Sequence, residues 1–398
     1  MKKTLTLILS FLMIAGTFVS CQTPIIDDLQ SDTSSDIIAD TNNQNTDSET
    51  SKSTEDKNDK PGTNEDNKNP APDGDNKNPS ADEDNKDPAT DEDNKAPEVT
   101  VKKVSFGSYP QSEVTNSTLK NTLTQKAGTL PTKANPQKWT SFKYYHKYKE
   151  NDVDKTERDF MWYIDITENG QKYRGIYFTA YRPTYVLRST SEQASYQDDN
   201  GYKTGTVYWF KYEPISWTVL SERSDGSSLL LCDSILDCKE FDYNDSDGTY
   251  NNDYSKSSIR TWLNASFLNT AFSSAEQNKI LETTVDNSVS STGHPENPNA
   301  CSNTTDKIFL LSYMEAVNDL YGLELKSARI KEGTAYAYAQ GLYKGTDGGN
   351  SWWLRSPSPD PIIAIFKVRG VMNTGAVDSY INANYSYRGT VPALWVKL

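Results

Sequence analysis

Histidine and cysteine are scarce in this 398-residue chain, and cationic side chains are outnumbered by anionic ones. The two histidines, His146 and His294, stand in loop-like runs. Neither has metal-ligand spacing or a nucleophile and orienting acid beside it, so zinc chemistry and triad hydrolysis are not expected. Of four cysteines, Cys21 ends an N-terminal apolar run, leaving Cys232, Cys238 and Cys301. An odd three cannot build a disulfide framework. One pair and one free thiol would allow three pairings, and a buried, inert thiol is expected at Cys232, which ends an apolar strand. The glycine-rich Gly345-Thr346-Asp347-Gly348-Gly349-Asn350 lacks the Lys-Ser/Thr of a phosphate loop. Its glycines are expected to allow close packing beneath the tryptophans that follow. Asp242 to Gly248 is rich in oxygen ligands, but Tyr243 stands where a calcium loop needs an acid. No cofactor or metal is therefore expected.

Between residues 22 and 100 aromatic residues are absent altogether. Such a segment buries too little apolar surface to offset its ordering entropy, so a disordered tether is expected over 21–100. Asp-Asn-Lys recurs at Asp66, Asp75, Asp84 and Asp93, with Pro70, Pro79, Pro88 and Pro97 in step. This polar nine-residue repeat reads as linker sequence rather than a solenoid. The stretch holds 22 acidic and 7 basic residues, more than the whole-chain net charge of −14. Residues 101–398 are thus close to neutral, and a nucleic-acid footprint is not expected. A flexible coil of this length spans roughly 50 Å.

The chain opens Met1-Lys2-Lys3, followed by an apolar run from Leu5 to Val19 and then Ser20-Cys21. That is a basic region, an apolar region and small residues before a cleavage point. The run falls short of the roughly 20 residues of a spanning helix. Phe18-Val19-Ser20-Cys21 resembles a lipobox, with Phe18 where leucine is usual. A signal peptide over 1–20 and lipidation at Cys21 follow from that resemblance. Two or more acyl chains would hold the protein stably to a membrane. Gln22 in place of the aspartate that retains lipoproteins at the inner membrane favours the outer membrane or cell surface.

Residues 101–398 are expected to form one α+β domain. Strands are predicted at Val104–Gly107, stopping at Tyr109-Pro110, and at Phe160–Thr167 and Gln171–Thr179 around an Asn169-Gly170 hairpin turn. Val207–Tyr212, Ile215–Leu220 and Ser228–Cys232 give three more. Helices are predicted from Ser258 through Leu268, after a Ser273/Glu276 capping box, and after a Ser312/Glu315 box with Gly322 as the stop. Short strands return at Ala364–Arg369, Ala376–Tyr380 and Val391–Lys397. Trp217, Trp262, Trp353 and Trp395 are the expected core tryptophans.

Several of these stretches resemble one family. Phe106-Gly107-Ser108-Tyr109-Pro110-Gln111, Pro214 to Leu220, Ser258 to Asn264, Trp352-Trp353-Leu354-Arg355-Ser356-Pro357 and Val391-Pro392-Ala393-Leu394-Trp395 are similar to the bacterial domain of unknown function 6273, found in exported proteins and lipoproteins. Thr390 departs from the arginine usual before the last motif. The stretch 112–200 reads as an insertion. The C-terminal pattern also resembles the C-type-lectin-like fold of formylglycine-generating enzymes and retroelement-diversified surface proteins. The absence of cysteine after Cys301 speaks against that enzyme's chemistry.

The leading functional expectation is a surface-displayed recognition protein for an extracellular protein or glycan, with its contact face at Asn373, Asp378, Tyr380, Asn382, Asn384, Tyr385 and Tyr387. Tyrosine offers large contact area at low entropy cost. A structural envelope lipoprotein is one alternative. A carboxylate hydrolase, using acids far apart in sequence such as Glu276 and Asp306, is another.

Overall fold

The computed structural model describes residues 101–151, 153–184, 195–244, 249–345, 348–360 and 366–398; of residues 145–150, 153–155 and 378–380 the backbone alone is described. The expected signal peptide, Cys21 and the tether lie outside these residues. The first strand, β1 (Lys103–Glu113), starts where predicted but runs past Tyr109-Pro110. Proline is tolerated where a ladder is already interrupted, and Pro110 adjoins one register shift against β7 (Tyr208–Glu222) while Pro214 of β7 adjoins another. For the same reason the two strands expected on either side of Glu213-Pro214 are one fifteen-residue strand.

Between β1 and β7 lies the stretch read from the sequence as an insertion. It contributes α1 (Ser117–Ala127), β2 (Thr140–Ser141), the pair β3 (Tyr145–Glu150) and β4 (Val153–Arg158), then β5 (Met161–Glu168), β6 (Gln171–Phe178) and α2 (Tyr196–Asp199). Strands β5 and β6 form the predicted hairpin. Asn169 and Gly170 both take positive φ, 49° and 78°, as a tight two-residue turn requires. Arg174 of β6 is buried and grips Asp165 with two bonds of 2.8 Å, and Tyr212 of β7 donates to the same carboxylate at 2.9 Å. The insertion is therefore stitched into the sheet.

β8 (Ser228–Cys232) is buried along its whole length. It pairs with the far end of β7 on one side and with the last strand on the other. After it come β9 (Asp237–Cys238), α3 (Ser258–Trp262), a π turn (Leu263–Phe267), α4 (Leu268–Ala271) and α5 (Ser274–Gln277). The single helix predicted from Ser258 is thus broken into short turns. Ile259, Leu263 and Phe267 take its buried row. Trp262 sits one position off that row, half-buried and packed against the edge of the core.

Both capping boxes form: Ser273 with Glu276 before α5, and Ser312 with Glu315 before α6 (Tyr313–Ala316). Between them run β10 (Thr283–Val285), β11 (Thr304–Asp306) and β12 (Ile308–Phe309). The helix expected to reach Gly322 stops at Ala316 and resumes as a 3-10 turn over Asp319–Tyr321, so Leu320 is 84% exposed rather than buried. Two short helices follow, α7 (Lys326–Arg329) and α8 (Ala335–Ala339), then β13 (Trp352–Pro357), β14 (Lys367–Val371), β15 (Val377–Asn382), β16 (Gly389–Thr390) and β17 (Ala393–Val396).

Eight strands make one antiparallel sheet in the order β12-β17-β8-β7-β6-β5-β2, with β1 also on β7. Five make a second, β15-β14-β13-β16-β9, whose β13–β16 contact is parallel. Trp217, Trp352 and Trp353 are fully buried and Trp395 nearly so. The architecture is mixed α and β, with short helices and mostly antiparallel strands. No helix among the described residues is long and apolar enough to cross a membrane.

Candidate functional site

The predicted contact face is only partly at the surface. Asn373 lies in the β14–β15 turn, half-buried. Asp378, Tyr380 and Asn382 fall in β15. Asn384 is 2% exposed, and Ser386 and Arg388 on either side of Tyr387 are also buried. The segment is tied to its surroundings: the Ala383 carbonyl accepts from the amides of Phe241 and Asp242, and Ser386 bonds back to Pro183 and Thr184. Tyr385 and Tyr387 stack at 5.1 Å, and Tyr387 meets Tyr196 at 5.3 Å and Tyr343 at 6.5 Å. Asn373 approaches the glycine loop: a side chain on Gly349 would meet its carbonyl oxygen at 2.2 Å. The close packing expected of those glycines is thus against the β14–β15 turn, not beneath the tryptophans.

The other candidates resolve into structural roles. Glu276 closes its capping box and accepts from the Gly107 amide. Asp306 is buried and held by Arg260 at 2.8 Å and Thr304 at 2.6 Å. His294 accepts the Glu296 amide. All three described cysteines are free thiols; Cys232 and Cys238 are buried, and burial pushes both up to about 12, away from the reactive thiolate.

A concave site lies elsewhere, between the insertion and the α3 region. Phe142 and Tyr144, which follow β2, stack at 5.2 Å with their planes 4° apart. They face Lys239 to Asn244, Asn251 and the turn from Ser258 to Ser266 across a cleft of about 680 Å³. The Lys239 ammonium lies 4.9 Å from the Tyr144 ring and 5.5 Å from that of Trp262. Trp262 is left half-buried by its position off the apolar row of α3, and its ring is part of the wall.

The floor holds two carboxylates whose acidities are shifted in opposite directions. Burial would raise the Glu240 carboxyl, but Lys239 and Arg182 outweigh it and hold it below the usual range. Burial pushes Asp242 up to about 6, against bonds from the amides of Asn251 at 2.9 Å and Ser258 at 3.0 Å. Beneath them Arg182, 3% exposed, donates to Glu240 at 2.8 Å and to the carbonyls of Cys238 at 2.6 Å and Gln340 at 2.9 Å. Its guanidinium lies 4.0 Å from the Tyr144 ring centre, and Tyr144 donates to the Gln340 amide oxygen at 2.9 Å. Asp237, also buried, accepts from Tyr109 at 2.6 Å and from the Cys238 amide at 2.8 Å. One signal for this site was visible in the chain, the run Asp237-Cys238-Lys239-Glu240-Phe241-Asp242 with acids at every other or third position. Its partners Phe142, Tyr144 and Arg182 come from the insertion and carry no such mark.

Residues 225–398 match the family described as Domain of unknown function (DUF6273). The match supports the family resemblance over that stretch. It begins inside the β7–β8 turn, later than the resemblance read from Phe106–Gln111 and Pro214–Leu220, which lie outside it. No curated protein and no solved structure matches the chain. The cleft takes Lys239 to Asn244 and the α3 turn from the matched region and its Phe142–Tyr144 wall from outside it.

Proposed function

We propose that this chain is an exported, lipid-anchored recognition protein that binds a glycan in the Phe142–Trp262 cleft. The observation that carries the reading is the pairing of aromatic walls with polar lining at one concavity: sugar rings offer apolar faces to stack and hydroxyls to bond, and binding sites of this size are lined in that mixed way. Lys239 between two rings and Glu240 below it would orient hydroxyl or acidic groups. Display rests on the N-terminal sequence, with lipid on Cys21 and the stretch to residue 100 as spacer. The C-type-lectin-like reading rests on the C-terminal strands β13 to β16, which share one sheet with β9.

The test is a glycan array probed with the detergent-solubilised full chain. Saturable binding that is lost in Trp262→Ala and Lys239→Ala, but kept when Tyr385 and Tyr387 are both replaced by Phe, supports the cleft. Binding that survives Trp262→Ala and fails in the tyrosine variant moves the site to the Tyr196–Tyr387 cluster. A second reading, glycan hydrolysis, is favoured by the opposed shifts of Glu240 and Asp242, since separated acid strengths mark acid and base. Both Asp242 oxygens accept backbone amides, however, which suits a turn more than proton transfer. Release of reducing ends by the wild type, absent in Glu240→Gln, would establish hydrolysis.

A further inference from the structure

A second concavity, about 830 Å³, lies on another part of the surface, between the β1–β7–β8 region and the segment from Asp319 to Lys331. Its lining mixes apolar side chains, among them Leu220, Leu231, Leu323, Ile330 and Tyr321, with charged ones. Leu320 on its rim is 84% exposed and Ile330 is 42% exposed. Leu220, Leu231 and Leu323 beside them are buried.

Lys331 lines the same groove and is 8% exposed. Its ammonium makes no hydrogen bond and no ion pair among the described residues. The nearest candidate, Asp233, is already engaged by Ser216 and Thr218 at 2.6 Å each and by Lys103 at 3.1 Å. Lys102 is likewise committed, to Glu222 at 2.7 Å. Asp319 and Glu324 stand on the exposed rim. The groove thus combines apolar and charged lining with one mostly buried lysine whose ammonium makes no hydrogen bond among the described residues. Burial weakens its hold on the proton, and the nearby Asp233 offsets that only in part. A ligand that brings its own anion would remove the mismatch.

We propose that this groove binds a small apolar monocarboxylic acid, its carboxylate on Lys331 and its hydrocarbon body along Leu220, Leu323 and Ile330. A charge-assisted bond to the buried ammonium fixes the head group, and removal of the apolar tail from water supplies the non-directional part. The site is independent of the Phe142–Trp262 cleft.

The probe is decanoate, titrated calorimetrically into the full chain, with decanol as the neutral match and decylamine as the cationic one. Decanoate should bind saturably at one site, and decanol at least about tenfold more weakly, the factor that one charged hydrogen bond supplies. Lys331→Met should erase that preference, and Lys331→Arg should keep it. Trp262→Ala should leave it untouched. Equal binding of decanoate and decanol by the wild type overturns the proposal, as does a preference that survives Lys331→Met or no decanoate binding at all. Should the Met variant fail to fold, the wild-type comparison of the three probes decides alone.

Discussion

Arg182 is the side chain on which the floor of the cleft depends, and its replacement is the sharpest test of the structure. Arg182→Met keeps much of the apolar stem and removes the guanidinium. Three things are then left behind in a buried place: the Glu240 carboxylate without its cation, and the Cys238 and Gln340 carbonyls without their charged donor. Breaking a buried pair from one side costs about 3–5 kcal/mol. The contact with the Tyr144 ring adds up to about 2 kcal/mol where it is desolvated. Against a typical domain stability of roughly 5–15 kcal/mol, a loss near 4 kcal/mol is severe. The double variant Arg182→Met with Glu240→Gln should recover part of it, because no bare charge remains. Urea unfolding followed by tryptophan fluorescence reads all four corners of the cycle. A single-variant loss below about 1 kcal/mol, or coupling near zero between the two positions, would refute the account of Arg182 as a buried tie between the insertion and the floor.

Asp242 gives a pH signature. Its folded carboxyl titrates at about 6, above the unfolded value, so its contribution favours folding below about pH 4 and is lost as pH rises through 6. Asp242→Asn should flatten that limb of the stability curve in urea titrations from pH 4 to 7; an unchanged limb sinks the assignment. Trp395→Ala should cost about 3–5 kcal/mol and Trp262→Ala clearly less, because the first is nearly buried in β17 and the second faces the cleft; equal losses would put Trp262 back in the core. Cys21→Ala should abolish palmitate labelling and release the chain from membranes, and labelling that persists would end the lipoprotein reading.

Where local chemistry decides, the chain was legible. Asn169-Gly170 made its hairpin, and both Ser–Glu boxes capped helices at the stated residues. These motifs act within four residues, and no distant partner overrides them. Misreadings came where tertiary pairing decides. Pro110 and Pro214 look like strand stops until β1 and β7 are seen to place them beside register shifts. Trp262 looks like core, but the apolar row of α3 passes one position away and leaves it at the core's edge. The segment from Asn382 to Arg388 looks like a solvent loop because its residues are polar, yet Asn384, Ser386 and Arg388 are buried. The concave site was illegible for a related reason. Its walls come from residues about a hundred positions apart, and no spacing rule links Tyr144 to Trp262.

The place where the family match begins has a practical consequence. Residue 225 falls in the turn between β7 and β8, so a fragment cut there keeps β8 and discards the strand bonded along one side of it. Ser228-Leu229-Leu230-Leu231-Cys232 would then present a row of unpaired amides and carbonyls flanked by three leucines. An open apolar edge of that kind templates pairing with other chains. Expression of 225–398 alone is expected to give aggregates, and the same residues preceded by 101–224 a soluble protein. The working unit of this molecule starts well upstream of the stretch that the family match recognises.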